Sequence, residues 1–180
     1  AAWGDNSGGQ TNVPVGLSNV VAVAAGGYHS LALRSDGTVA AWGYNLYGQT
    51  NVPVGLSNVV AVAAGGWHSL ALRSDGTVAA WGWNYYGQTD VPVGLSNVVA
   101  VAAGEDHSLA LRGDGTVAAW GYNLYGQTNV PVGLSNVVAV AGGGRHSLVL
   151  RSDGTVAAWG DNSGGQTNVP VGLSNVVAVA

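Results

Sequence analysis

The sequence contains no cysteine, lysine, methionine or phenylalanine, and only 8% of its 180 residues are charged. Without cysteine, disulfide bonds and thiolate chemistry are excluded, although no cellular compartment follows from this. Five arginines against nine acidic residues give a net charge of −4. A surface that binds a phosphate backbone is basic, so we expect no nucleic-acid binding. No apolar run approaches the roughly 20 residues that cross a bilayer, so we expect no membrane insertion either.

A repeat of 39 residues dominates the sequence. Full periods begin at residues 1, 40, 79 and 118, and a partial copy covers residues 157–180, so we predict a single repeat-array domain over residues 1–180. Periods of this length are typical of solenoids and propellers. Two residue types mark the repeat at constant spacing: Trp3, Trp42, Trp81, Trp120 and Trp159, and likewise His29, His68, His107 and His146.

Each repeat also carries strand and turn signals. The motif SLALRSDGTVAAW, or a close variant of it, places Asp-Gly between two β-prone runs, which predicts an antiparallel hairpin. A run of small apolar residues precedes the hairpin, and a Val-Pro-Val segment follows it. We therefore predict four short strands per repeat, over residues 20–25, 30–34, 38–42 and 51–54 in the first complete set.

These signals together favour one fold class. Four short antiparallel strands with a Trp in every third strand are typical of the four-stranded blades of a β-propeller. We therefore predict an all-β propeller of four full 39-residue repeats and a partial one, with the strand tryptophans packed between blades. A parallel β-helix is the alternative, but its coils are usually shorter and need no hairpin in every repeat.

The histidines invite a catalytic interpretation, because His29 precedes Ser30 and lies seven residues before Asp36. A triad requires these groups to converge, whereas an Asp at a hairpin tip is expected for turn formation alone. We predict instead that each His bonds to the backbone at the start of its strand. A zinc ring is not expected either, because neighbouring sheets lie about 10 Å apart and zinc binds nitrogen at about 2.0–2.1 Å. We predict no catalytic residue, no metal site and no cofactor.

The copies differ from one another mainly in two loops, one before each His and one after each strand Trp. Rigid aromatic residues alternate there with small polar and charged ones, which is the composition of a protein-binding surface. We predict that both loops lie on one rim of the propeller and bind a protein partner. The predicted partner-binding residues are Tyr28, Tyr44, Leu46, Tyr47, Trp67, Trp83, Tyr85, Tyr86, Glu105, Asp106, Tyr122, Leu124, Tyr125 and Arg145.

The pattern AAGGxHSLALRSDGTVAAWGxNxxGQ resembles the repeat of the regulator of chromosome condensation family, whose members form propellers, commonly of seven blades. With its 39-residue unit and its GQTNVP segment, the chain is most similar to the bacterial branch, which includes the propeller-type β-lactamase inhibitor proteins. Those proteins contact their partners largely through the matching loops. Shorter, nearly identical units and the absence of a basic tail distinguish the chain from the eukaryotic nucleotide-exchange members, which argues against a GTPase or chromatin role.

The number of repeats allows three interpretations of how the propeller ring is completed. Residues 157–180 repeat residues 1–24 letter for letter, so the chain holds four full periods. A seven-bladed ring of such repeats needs about 270 residues. We therefore expect an excerpt of a longer array, several copies that combine their blades by self-association, or an abnormal ring.

Two functional classes remain. The first is a protein-recognition module, in one version an inhibitor of a secreted enzyme. The second is a structural or self-assembling component of a cell surface or filament, in which the aromatic loops join neighbouring subunits. In both classes we expect the protein to be extracellular or at the cell surface.

Overall fold

The computed structural model describes residues 1–180, and every regular element in it is a β-strand. Twelve strands form four antiparallel sheets of three strands each, termed blades 1 to 4. The structure contains no helix that is long and apolar enough to cross a membrane. The strands are β1 (Val20–Ala25), β2 (His29–Arg34) and β3 (Val39–Gly43) in blade 1; β4 (Val59–Ala64), β5 (His68–Arg73) and β6 (Val78–Gly82) in blade 2; β7 (Val98–Ala103), β8 (His107–Arg112) and β9 (Val117–Gly121) in blade 3; and β10 (Val137–Gly142), β11 (His146–Arg151) and β12 (Val156–Gly160) in blade 4.

The predicted hairpins are confirmed in every blade, with the middle strand paired on both sides. In blade 1 the turn is closed by the Arg34 N–H, which donates to the Thr38 carbonyl at 2.9 Å. Thr38 in turn donates from its hydroxyl and its N–H to Asp36 Oδ1, at 2.7 and 2.9 Å. These two hydrogen bonds hold the pKa of Asp36 below its usual value. The Asp of each repeat is therefore used in its own turn.

The predicted fourth strand, over residues 51–54, is wrong. Its backbone makes only local hydrogen bonds: the Val52 N–H donates to Thr50, and the Leu56 N–H donates to Pro53. Proline has no N–H to give to a sheet ladder, so a Val-Pro-Val segment satisfies the alternation of a strand without being able to pair like one. The residues between blades are connectors instead of strands. They cover residues 44–58, 83–97 and 122–136, with equivalent segments at residues 5–19 and 161–175.

The hydrophobic core lies between blades. Three apolar clusters fill the three junctions, and each takes two leucines from one blade and a valine and the strand Trp from the next, with Ala71, Ala110 or Val149 between them. The predicted packing of the tryptophans between blades is confirmed for Trp81, Trp120 and Trp159, which are all buried. Trp42, on the uncovered face of blade 1, is half-buried, and Trp3 is exposed. The junction between blades 1 and 2 consists of Leu31, Leu33, Val39, Leu56, Val59, Ala71 and Trp81.

Candidate functional site

The two variable loops of each repeat lie side by side at one end of the blade. The pairing of His29 with Gly43 brings the loop before β2 next to the start of the connector. The Tyr44 N–H then donates to the Tyr28 carbonyl at 2.9 Å, and the same bond joins Trp83 to Trp67 in blade 2. The Asp-Gly hairpins lie at the opposite end. The term "rim" is used below for the two loops of all four blades, residues 27–28 and 44–47 in blade 1 and their equivalents.

Aromatic side chains connect the rim across repeats. Tyr28 of blade 1 stacks on Trp67 of blade 2, with ring centroids 3.8 Å apart and planes inclined by 19°. The ring centroid of Tyr47 lies 5.5 Å from that of Trp67 and 3.9 Å from that of Trp83. A similar contact between neighbouring repeats joins Tyr86 to Tyr122, whose ring centroids are 4.5 Å apart. All seven tyrosines and two tryptophans belong to this cluster: Tyr28, Tyr44, Tyr47, Trp67, Trp83, Tyr85, Tyr86, Tyr122 and Tyr125.

Exposure divides the predicted residues into a platform and its outer face. Trp67, Trp83, Tyr44 and Tyr122 are half-buried beneath their neighbours. The outer face is formed mainly by Tyr85, which is 77% exposed, and by exposed Leu46, Leu124, Tyr28, Tyr47, Tyr86 and Tyr125. Such a concentration of exposed apolar side chains exceeds the scattered ones that any protein surface carries.

Charged residues border the aromatic cluster on the side of blades 3 and 4. The Arg145 guanidinium lies 5.2 Å above the Tyr125 ring and donates to the Tyr125 hydroxyl at 3.2 Å. Burial raises the pKa of Asp106, Glu105 beside it raises it further, and Arg145 opposes both effects. The predicted rim residues thus combine an apolar centre with a polar, charged edge, which is the usual anatomy of a protein interface.

The rim loops have a backbone that does not depend on their aromatic side chains. In the first connector, Asn45 binds Asn51 and the Thr50 N–H through its side chain, and Gln49 Oε1 accepts from the Tyr47 N–H. The loop at residues 5–9, which has the aromatic-free sequence DNSGG, makes the same bonds through its own Asn and Gln. Aromatic residues are therefore not needed for this loop to fold.

The histidines do not bind the backbone of their own loops, so that prediction is wrong. His29 Nε2 lies 2.8 Å from Ser69 Oγ of the next blade. The Ser69 hydroxyl donates to the Gln49 carbonyl at 2.9 Å, so its only proton is used and the histidine must donate from Nε2. The pairs His68–Ser108 and His107–Ser147 repeat this contact at 3.0 Å. The histidines therefore join successive blades.

Burial keeps these three histidines neutral. It lowers the pKa of His29 and His107 to about 4 and that of His68 to about 3. Both members of the His68–Ser108 pair are inaccessible to a substrate. The Asp of the supposed triad lies in the hairpin at the other end of the blade, bound to its own turn. The Ser-His pairs are thus structural contacts between blades.

The sequence patterns did not reveal the rest of this junction. The Gln49 carbonyl accepts from both Ser69 and the Trp81 indole N–H, at 2.9 Å each. One backbone oxygen therefore fixes the connector to the next blade. The signal that could have identified it is the invariant Gln at the end of each rim loop, which recurs with the same period as the strand Trp.

A repeated three-stranded blade with its core between neighbouring blades defines a repeat protein of the β-propeller class. The chain belongs to the family of the regulator of chromosome condensation (RCC1) repeat, whose model matches residues 20–49, 59–88, 98–127 and 137–166. The predicted family and propeller fold are thereby confirmed. No curated protein matches the sequence.

Solved structures show the same fold in longer chains. Yeast RCC1 (Prp20) in complex with Kap60 is 25% identical, with a TM-score of 0.75 over 91% of this chain and 49% of that one. The ectodomain of the Physcomitrella patens receptor kinase CR4 is 27% identical, with a TM-score of 0.76 over 93% and 48%. Prp20p from Saccharomyces cerevisiae, described with its binding properties to Gsp1p and histones, is 27% identical, with a TM-score of 0.67 over 78% and 45%. The chain spans about half the length of these relatives.

Proposed function

We propose that the protein is a recognition module that binds a protein partner through its rim. The observation that carries this proposal is the connected aromatic cluster, which takes side chains from both variable loops of several repeats. Tyr, Trp and Arg are the residues that contribute most to binding at protein interfaces. Relatives with the same fold support a protein partner, since yeast RCC1 is found bound to Kap60 and Prp20p is described as binding Gsp1p and histones.

A narrower proposal follows from the sequence resemblance. We propose that the chain belongs to the bacterial branch and inhibits a secreted enzyme, outside the cell or at its surface. The aromatic outer face and the adjacent Glu105, Asp106 and Arg145 supply the anchors and the polar edge that such an inhibitor requires. Binding, and not catalysis, is the proposed role, because the conspicuous Ser-His pairs are buried between blades. We propose neither a nucleic-acid partner nor membrane insertion.

Truncation of the rim platform should weaken partner binding. We expect Trp67→Ala or Trp83→Ala to cost about 2 kcal/mol of binding free energy, roughly a 30-fold loss of affinity, because large aromatic side chains are the usual hot spots of protein interfaces. The melting temperature should change little, because both side chains lie on the rim and outside the cores between blades. The measurement is the affinity of each variant for a protein captured on the immobilised parent chain.

The control for this measurement lies at the opposite end of the blade. Ser74 is exposed in a hairpin turn, and repeat 3 carries Gly113 at the same position. Ser74→Ala should therefore bind like the parent. If both tryptophan variants bind the captured protein as tightly as Ser74→Ala does, the rim is not the binding surface.

A second candidate function is that of a structural, self-assembling array. The observation that favours it is a pair of uncovered faces, one on blade 1 and one on blade 4. Val20 of blade 1 is 40% exposed, whereas its equivalent Val59 at the first junction is 4% exposed. Association of copies through these faces would bury them. The mass in solution distinguishes a monomer from an assembly of defined size and from open-ended polymers.

A further inference from the structure

Three contacts recur at each junction between blades. The first is the His-Ser hydrogen bond described above. The second is a backbone bond from the loop before the His to the equivalent loop of the next blade: the Gly66 N–H donates to Glu105, and the Glu105 N–H donates to Gly144. The third is the apolar cluster, to which each blade contributes leucines on one face and a valine and a Trp on the other. Each blade therefore has two different and complementary faces.

The two ends of the array each display one of these faces without its partner. His146 of blade 4 has no Ser of a following blade, and Ser30 of blade 1 has no His of a preceding one. Leu148 is only half-buried, whereas its equivalents Leu70 and Leu109 at internal junctions are completely buried. The unpaired groups of blade 4 are those that blade 1 complements.

We infer that blade 4 of one 180-residue chain packs on blade 1 of a second in the register of the internal junctions, so that two such chains close one ring. In this register His146 Nε2 donates to Ser30 Oγ of the second copy, and the Gly144 N–H donates to the backbone of Gly27 of the second copy. The inference gives a geometry to the self-association proposed above and does not depend on what the rim binds.

The size of the ring follows from the curvature of the array. A head-to-tail interface closes into a ring when its rotation matches the symmetry, and forms a filament when it does not. The array superposes with TM-scores of 0.75 and 0.76 on yeast RCC1 and the CR4 ectodomain over more than 90% of its length, and fills 49% and 48% of those chains. Because the array covers about half the length of each of those chains at the same curvature, two is the number of copies that comes closest to one closed ring, which then has eight blades.

The two terminal segments, residues 1–24 and 157–180, can occupy the same position at the junction between the two copies, because their sequences are identical. Gln10 accepts from Ser30 and from the Trp42 indole through its carbonyl, at 3.1 and 2.9 Å. Gln166 is its equivalent after blade 4, and in a following blade its carbonyl would accept from the same two donors, a Ser hydroxyl and a Trp indole. Residues 176–180 repeat the first five residues of β1 but pair with no strand. Because residues 157–180 and 1–24 are identical, either segment fills the junction with the same contacts and the other is released.

The first experiment measures the mass of the 180-residue chain by analytical ultracentrifugation over a dilution series. We expect twice the 17.9 kDa of one chain. Val20→Glu combined with Val176→Glu should restore the mass of one chain, because the equivalents Val59, Val98 and Val137 are 4% exposed at internal junctions. Both positions are changed because the two segments are interchangeable.

The matched control places the same charge one residue further along the chain. Val21→Glu combined with Val177→Glu should leave the two-chain mass unchanged, because the equivalents Val60, Val99 and Val138 stay about half exposed at internal junctions. Circular dichroism of both variants checks that the blades remain folded. Equal loss of the two-chain mass in both variants would contradict the proposed register.

The second experiment tests the register by cross-linking, which the absence of cysteine makes simple. A Cβ at Gly27 would lie 3.3 Å from the Cα of Gly66, and the equivalent pair at the new junction is Gly144 with Gly27 of the second copy. Neither glycine has a left-handed backbone, and both are exposed. A Cβ at Gly27 points towards Gly66 of its own chain, so the two cysteines are joined by a short thiol-reactive cross-linker and not by a direct disulfide. An equimolar mixture of Gly27→Cys and Gly144→Cys chains should form a cross-linked heterodimer with such a reagent, and each chain alone should not.

The outcomes distinguish a failure of the two-copy ring from a failure of the proposed self-association on which it rests. A one-chain mass for the parent at every concentration overturns self-association and the ring together. A two-chain mass that resists Val20→Glu with Val176→Glu, without the cross-linked heterodimer, leaves self-association standing and overturns the blade 4 to blade 1 register. A mass that grows beyond two chains overturns ring closure in favour of a filament.

Discussion

Acidification from about pH 7 to about pH 4.5 should unfold the array. The pKa of His29 and His107 is lowered to about 4 and that of His68 to about 3, from about 6.5 in the unfolded chain. Below about pH 6.5 the unfolded chain therefore binds protons that the folded chain excludes, so the free energy of unfolding falls as the pH falls. Three such groups contribute about 4 kcal/mol per pH unit, and a typical domain has only about 5–15 kcal/mol in total.

Urea unfolding at several pH values between 7 and 4.5 measures this loss. The turn aspartates such as Asp36 have lowered pKa values, but their contribution is lost only below their unfolded pKa of about 3.8, outside this window. His68→Gln is the matched variant: it should be less stable at pH 7, and its stability should fall less steeply with pH, by about a third. A parent profile that stays flat from pH 7 to 4.5 would contradict the burial of neutral histidines between the blades.

Substitution of Gly65 by Ala should destabilise the array strongly. A Cβ at this position would lie 2.6 Å from the Gly104 carbonyl oxygen of the next blade and would overlap the His68 ring. Both obstacles belong to the junction itself, so blades 2 and 3 would have to move apart. We expect a loss of about 3 kcal/mol or more in the free energy of unfolding, comparable to overpacking a core.

The control for Gly65→Ala is a glycine from the same loop in another repeat. At Gly144 of a single chain a new Cβ would meet only Glu105 Oε2, at 3.8 Å. Both glycine variants are therefore compared in the Val20→Glu, Val176→Glu chain, in which no second copy lies against Gly144. Gly144→Ala should therefore be neutral, or slightly stabilising because it restricts the unfolded chain. Chemical denaturation of both variants measures the difference. If the two variants unfold at the same urea concentration, blades 2 and 3 do not approach each other as closely as described.

The fold could be predicted from the sequence where its signals are local. Asp-Gly turns, strand-like apolar runs and the 39-residue period predicted the hairpins, and the strand bounds agree to within one residue at β2 and β3. The fourth strand was wrong because strand formation needs a partner with free backbone groups. The alternating pattern of Val-Pro-Val does not show whether such a partner strand is present, and Pro53 has no backbone N–H to donate to one.

The junctions could not be predicted because their contacts are non-local. His29 and Ser69 are 40 residues apart, and the Ser that follows His29 in the sequence bonds instead to Gln10. Spacing along one repeat does not show which repeat supplies a partner. The rim was accessible to sequence reasoning for a different reason: the copies are nearly identical elsewhere, so the differences among them mark one surface. The stacking of Tyr28 on Trp67, between repeats, required the structure.

The rim proposal is tested most directly by an exchange of loops within the chain. The aromatic-free sequence DNSGG, present at residues 161–165, is introduced into residues 44–48 and 83–87, which changes three residues in each loop. Its hydrogen bonds are the same as those of the aromatic loops, so the fold should persist. The measurement is the affinity of this variant for the protein captured on the parent chain. We expect a loss of about 100-fold or more with little change in melting temperature; unchanged affinity would contradict the assignment of the rim as the partner surface.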